Sequence, residues 1–177
     1  LKGTYPAALQ EKLAKRVMSM MKVDNERCVL GQSEHPFTTN FNNKDVRITT
    51  HYHEDNLLSS LYSVIHEAGH GLYELGIADE LQYGCLAGGV SMGIHESQSR
   101  LYENMLGRSL PFAQALLPVL AEIFPDTFMG VETAQLHRAL NVSRPSLIRT
   151  ESDELTYSMH IMVRYELEKA LYDGSLK

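Results

Sequence analysis

The segment His66-Glu67-Ala68-Gly69-His70 places two imidazoles four residues apart with a carboxylate beside the first, and that spacing demands a helix. Four residues is just over one helical turn, so His66 and His70 project from one face and can hold a single metal ion between them. Glu67 then lies about 100° around the helix, beside the ion rather than on it, within reach of a water at the metal. Zinc lowers the pKa of such a water from about 15.7 to about 7, and a neighbouring carboxylate can take its proton as it attacks a carbonyl. The flanking residues supply the helix. Asp55 or Asn56 is suited to cap it, the apolar residues Leu57, Leu58, Leu61, Tyr62 and Ile65 recur at helical spacing, and Gly76 supplies a stop.

A catalytic zinc site takes three protein ligands and leaves a position for water, so a third ligand is required. Position 76 is Gly76 and no histidine follows until His95, which excludes the arrangement with a third histidine six residues beyond the second. Glu96 is the expected ligand. It follows an apolar, Gly-rich run from Leu86 to Ile94 and stands where a second helical pattern begins, so a glutamate in that helix's first turn can meet the histidine pair. His95 is the competing ligand, with a hydrogen-bonding neighbour of the site as its plainer role. Two histidines and one glutamate form a standard catalytic zinc set, which favours Glu96.

Several segments now resemble, in order, the carboxypeptidase Taq family of zinc metallocarboxypeptidases. They are His35-Pro36-Phe37-Thr38-Thr39, Asp45-Val46-Arg47-Ile48-Thr49-Thr50, His66 to His70, His95-Glu96-Ser97-Gln98-Ser99-Arg100, and Ile148-Arg149-Thr150-Glu151-Ser152-Asp153-Glu154. The resemblance implies zinc ligation by His66, His70 and Glu96, with one Zn2+ per chain that Co2+ or another divalent metal can replace, and Glu67 as general base. It implies release of C-terminal residues from peptide substrates. It moves Arg149 toward the cleft, where a guanidinium grips a carboxylate bidentately, and makes His35 and Thr38 substrate contacts. The implied fold is mainly α, of the α+β kind: a helical zincin-like core around the His66 to His70 helix with a small β-sheet beside the active site. An endo-acting oligopeptidase with the same zinc set, and a non-catalytic zinc-containing core, are the alternative readings. Family members are far longer, so residues 1–177 are expected to be a single catalytic-core domain from a longer chain, lacking the family's downstream Gln-Asp-x-His-Trp motif. Ser152 stands where the family pattern has alanine.

The remaining expectations come from composition and periodicity. Sixteen Lys and Arg against 22 Asp and Glu give a formal charge of -6, which offers no basis for binding a phosphate backbone. Nucleic acid is excluded as the expected partner. No apolar stretch reaches the roughly 18 residues of a membrane span, and the N-terminal region carries Lys12, Lys15 and Arg16 in an amphipathic pattern, so a cytoplasmic location is expected. Apolar faces left uncovered in a core of this size imply a homo-oligomer, a homodimer in the first instance. Cys28 and Cys85 lack metal-like spacing and read as buried free thiols. Residues 7 to 23 read as a helix whose methionines fill core gaps. Val46-Arg47-Ile48-Thr49 alternates as a strand that Gly88 to Met92 can pair with. Two helices are expected between Leu110 and Val142, separated at Phe124-Pro125-Asp126 with Asp126 or Thr127 as cap. A final helix is expected from about Thr150 to Tyr172, with Thr150 and Asp153 as a capping-box-like start. His51, His53, His137 and His160 lack paired spacing and read as surface or core histidines.

Overall fold

A computed structural model describes residues 3–149 and 152–176 of the chain. Seven α-helices and one three-stranded sheet make up its regular structure: α1 (Ala7–Met20), β1 (Cys28–Gln32), β2 (Thr38–Asn42), β3 (Asp45–Thr50), α2 (Leu57–Leu75), α3 (Met92–Arg100), α4 (Leu110–Ile123), α5 (Pro125–Phe128), α6 (Thr133–Leu140) and α7 (Glu154–Tyr172). A 3-10 turn covers Asp79–Leu81, and α3 runs on into a π-helical stretch over Leu101–Leu106. The mainly helical architecture with a small sheet is the expected one. Among the described residues no helix is long and apolar enough to cross a membrane.

The chain divides into two compact units, Leu1–His137 and Arg138–Lys177. In the first unit β3 is the central strand, parallel to β1 and antiparallel to β2, with a bulge between Asn40 and Asn42. Its alternation does what period two requires: Val46, Ile48 and Thr50 are buried while Arg47 between them is exposed. Against that face lie Val64 and Ala68 of α2 and Ala14 and Met18 of α1, closing a core that also takes in Cys28 and Val23. The second unit carries α7, a helix with no buried residue.

Asn56 caps α2 by accepting from the Ser59 N–H at 3.3 Å, as expected, and Gly76 ends it in a right-handed conformation. Several expectations need correction. The first helix stops at Met20, because Lys22 takes a φ of 63° and turns the chain. Gly88 to Met92 is no strand: Gly88 sits at a φ of 97° and Ser91 accepts from the Ile94 N–H to cap α3, so β1 and β2 supply the pairing instead. Three helices, not two, lie between Leu110 and Leu140, and α5 starts at Pro125 after Phe124 without a side-chain cap from Asp126 or Thr127. The final helix starts at Glu154, where Asp153 accepts from the Leu155 and Thr156 N–H groups. Thr150 and Glu151 lie outside the described residues. Of the two thiols Cys28 is buried, its pKa pushed up to about 11 by desolvation and by Asp24, whereas Cys85 is exposed because it stands in the loop before α3.

Candidate metal centre

The two histidines of α2 and the glutamate of α3 converge. His66, His70 and Glu96 bring one ligand atom each to within 4.8 Å of one another. Glu96 Oε2 lies 3.6 Å from His66 Nε2 and 3.3 Å from His70 Nε2. Tetrahedral zinc with ligands at about 2.0–2.2 Å spaces neighbouring donors about 3.3–3.5 Å apart, so this set fits a four-coordinate divalent cation. Two neutral nitrogens and one carboxylate oxygen are also the donor chemistry such an ion takes.

The convergence has a local cause. α3 begins at Met92, one turn earlier than expected, which puts Glu96 in the helix's second turn rather than its first. α2 and α3 touch at Gly69, where a Cβ would stand 2.8 Å from the Ser99 Cα, so only glycine permits this approach. The buried Ser99 hydroxyl donates to the Glu96 carbonyl at 2.7 Å and lies 3.3 Å from Glu96 Oε2.

Glu67 is buried at 8% exposure. The Thr38 hydroxyl donates to Glu67 Oε2 at 2.6 Å and is 3.0 Å from the Glu67 carbonyl oxygen. One oxygen of the carboxylate is thus held by the sheet. The reach follows from strand geometry: Thr38 and Asn40, two apart on β2, share the face toward α2, and Asn40 donates to Glu74 Oε2 at 2.8 Å.

Each remaining histidine nitrogen also has a partner. His66 Nδ1 is 2.7 Å from Glu103 Oε2, in the π-helical stretch, where helices often carry functional groups. Arg100 bridges the acids, donating from Nε to Glu96 Oε1 at 3.0 Å and from Nη1 to Glu103 Oε2 at 2.9 Å. His70 Nδ1 is 2.7 Å from His95 Nδ1, and His95 Nε2 is 2.6 Å from Glu74 Oε1. Burial opposes charge on His66, but its hydrogen bond to Glu103 and the negative charges of Glu103, Glu96 and Glu67 outweigh it and raise its pKa. The hydrogen bond from His70 leads the effects that hold Glu96 down to about 2, with His66 and Arg100 adding to it against partial burial.

His35 is exposed, and its carbonyl accepts from the Ser33 hydroxyl at 2.7 Å. Arg149 belongs to the second unit, where its Nη1 donates to the Tyr157 hydroxyl at 2.7 Å. Sequence reasoning named Arg100 only as part of a motif and missed Glu103, Glu74 and Asn40. Spacing carried a signal for three of them: Glu96, Arg100 and Glu103 share one helix face, and Glu74 continues the His66, His70 line by another four residues. Nothing local marks Asn40, which is brought in by strand pairing.

A family model described as carboxypeptidase Taq (M32) metallopeptidase matches residues 1–177. Thermostable carboxypeptidase 1 of Thermus thermophilus is 43% identical over 173 residues, covering 97% of this chain and 34% of the relative. Carboxypeptidase 1 of Bacillus subtilis is 40% identical over 172 residues, with 97% and 34% covered. The crystal structure of the M32 carboxypeptidase from Deinococcus radiodurans R1 superposes with a TM-score of 0.94 at 41% identity, covering 99% of this chain and 35% of that one. The chain thus spans about a third of the length of the curated relatives it matches.

Proposed function

We propose, for a chain that belongs to the carboxypeptidase Taq (M32) metallopeptidase family, that it forms the catalytic core of a zinc-dependent carboxypeptidase acting on the C-termini of peptides. The observation that carries the reading is the trio His66 Nε2, His70 Nε2 and Glu96 Oε2, spaced for a four-coordinate cation and flanked by the buried Glu67. His66, His70 and Glu96 hold the ion. When bound, zinc supplies Lewis acidity, polarising the scissile carbonyl and acidifying water.

Glu67 is the general base. With Oε2 tied to the Thr38 hydroxyl, Oε1 takes the proton of the attacking water and later delivers it to the departing amine. Thr38 therefore acts on the base, and its role as a direct substrate contact is secondary to that. Arg149 receives the free C-terminal carboxylate, and its guanidinium exchanges the neutral Tyr157 hydroxyl for a charged, bidentate partner. His35, exposed before β2, is free to meet the peptide.

The test sets peptides with a free C-terminus against the same peptides amidated there, in this chain and in a version extended to the relatives' full length. A carboxypeptidase loses the amidated substrate. Equal cleavage of both would make it an endopeptidase, and zinc binding without hydrolysis at either length would leave a non-catalytic metal domain.

A further inference from the structure

The second histidine of α2 is not left to itself. His70 Nδ1 meets His95 Nδ1 at 2.7 Å, His95 Nε2 meets Glu74 Oε1 at 2.6 Å, and the Asn40 amide donates to Glu74 Oε2 at 2.8 Å. Two ring nitrogens at 2.7 Å share one hydrogen, and which ring owns it follows from the far end of the chain. Glu74, with a side chain only 7% exposed, already accepts from Asn40 and presents its other oxygen as an acceptor, so His95 carries its hydrogen on Nε2. With its hydrogen directed to Glu74, the His95 ring offers Nδ1 as the acceptor, and the shared hydrogen belongs to His70 Nδ1. His70 Nε2, on the side facing Glu96, is then the nitrogen that can give up its place to metal.

We infer that His95, Glu74 and Asn40 are positioning residues that lock His70 in the tautomer whose Nε2 can ligate metal. This rests on the metal reading of His66, His70 and Glu96 and extends it to residues that touch no metal. The surroundings fix the His95 ring as well as its hydrogens. Tyr73 packs edge-on against it with ring centroids 4.9 Å apart, and a Cβ on Gly89 would come within 2.7 Å of His95 Cδ2. His66 has its own partner in Glu103, so each imidazole ends on a carboxylate, one directly and one through a second imidazole. Partners of this kind orient ligating histidines and raise their basicity, and their loss typically costs about 10- to 100-fold in metal affinity.

The chemistry predicts an unusual rescue. His95→Phe keeps the ring's bulk and removes both hydrogen bonds, whereas the amide of His95→Gln can accept from His70 Nδ1–H with its oxygen and donate to Glu74 with its nitrogen. Zinc affinity, measured by competition with a chromophoric chelator using Zn2+ alone, should fall about 10- to 100-fold in His95→Phe and recover most of that loss in His95→Gln. Nitrogen-15 NMR of the metal-free wild type should show His70 protonated at Nδ1. A folded His95→Phe chain that binds zinc as tightly as wild type, a His95→Gln chain as weak as the Phe variant, or a metal-free His70 without a hydrogen on Nδ1 would each overturn the inference. Should His95→Phe fail to fold, the His70 tautomer in the wild type decides. If wild type itself binds no zinc, or His66→Ala binds it equally well, the metal reading fails instead, and the NMR result still decides the tautomer.

Discussion

Glu67 and Glu96 are both glutamates beside the same histidines, and their surroundings give them different work. Glu96 is held down to about 2 by the His70 hydrogen bond, with His66 and Arg100 reinforcing it, so it stays an anion under any ordinary condition. A carboxyl whose folded pKa lies below its unfolded value of about 4.5 contributes stability that is complete above that value and disappears as pH falls toward 2. In the metal-free chain, the gap in urea midpoint between wild type and Glu96→Gln should therefore be wider at pH 7 than at pH 2.5. A gap that is unchanged between those values would show that Glu96 is not ionised by its neighbours. Glu67 has a different test, because Glu67→Gln keeps the side chain's shape and all three proposed ligands while removing proton acceptance. Zinc content should hold and turnover in the full-length version should fall by about 10²- to 10⁴-fold. Full turnover with zinc in place would remove Glu67 as the base.

At the scale of elements, the site depends on how closely α2 meets α3. Gly69 stands at that crossing, and a methyl group there would press on the Ser99 backbone, which cannot swing aside as a side chain would. Gly69→Ala should cost about 1–3 kcal/mol in chemical denaturation. It should also weaken zinc binding, because displacement of Ser99 carries Glu96 with it. Unchanged zinc affinity in a destabilised Gly69→Ala chain would mean that the helices can part without moving the ligand. Here the sequence was readable where a periodic pattern and a motif coincided. α2 was legible from its cap, apolar face and stop, and β3 from its alternation of Val46 and Ile48 with Arg47. The start of α3 was not, because the glycines of the preceding loop read as an extended run until Gly88 turned left-handed and Ser91 capped the helix. Glu103 was missed although its spacing puts it on one face with Glu96 and Arg100; its reach to His66 comes through a π-helical stretch.

For the whole molecule, surface and site make separate predictions. α7 has no buried residue, and Leu155, Met159, Met162, Val163 and Tyr165 on it are each more than half exposed, at 75%, 62%, 66%, 59% and 61%. Soluble monomers rarely present so much contiguous apolar surface, so the chain on its own should bind a hydrophobic dye and self-associate with rising concentration. Sedimentation showing a clean monomer at high concentration without dye binding would count against that. The contacts that long-range pairing creates, such as Thr38 on Glu67 and Asn40 on Glu74, are legible only once the sheet is folded against α2, since no local pattern joins residues 29 and 34 positions apart. The two imidazoles and the carboxylate, by contrast, were legible from spacing and the chemistry of zinc. The most direct measurement is the zinc bound per chain, by elemental analysis and chelator competition, in wild type, His66→Ala and Glu96→Ala. One equivalent in wild type and its loss in both variants is the predicted result; undiminished zinc in both variants would contradict it.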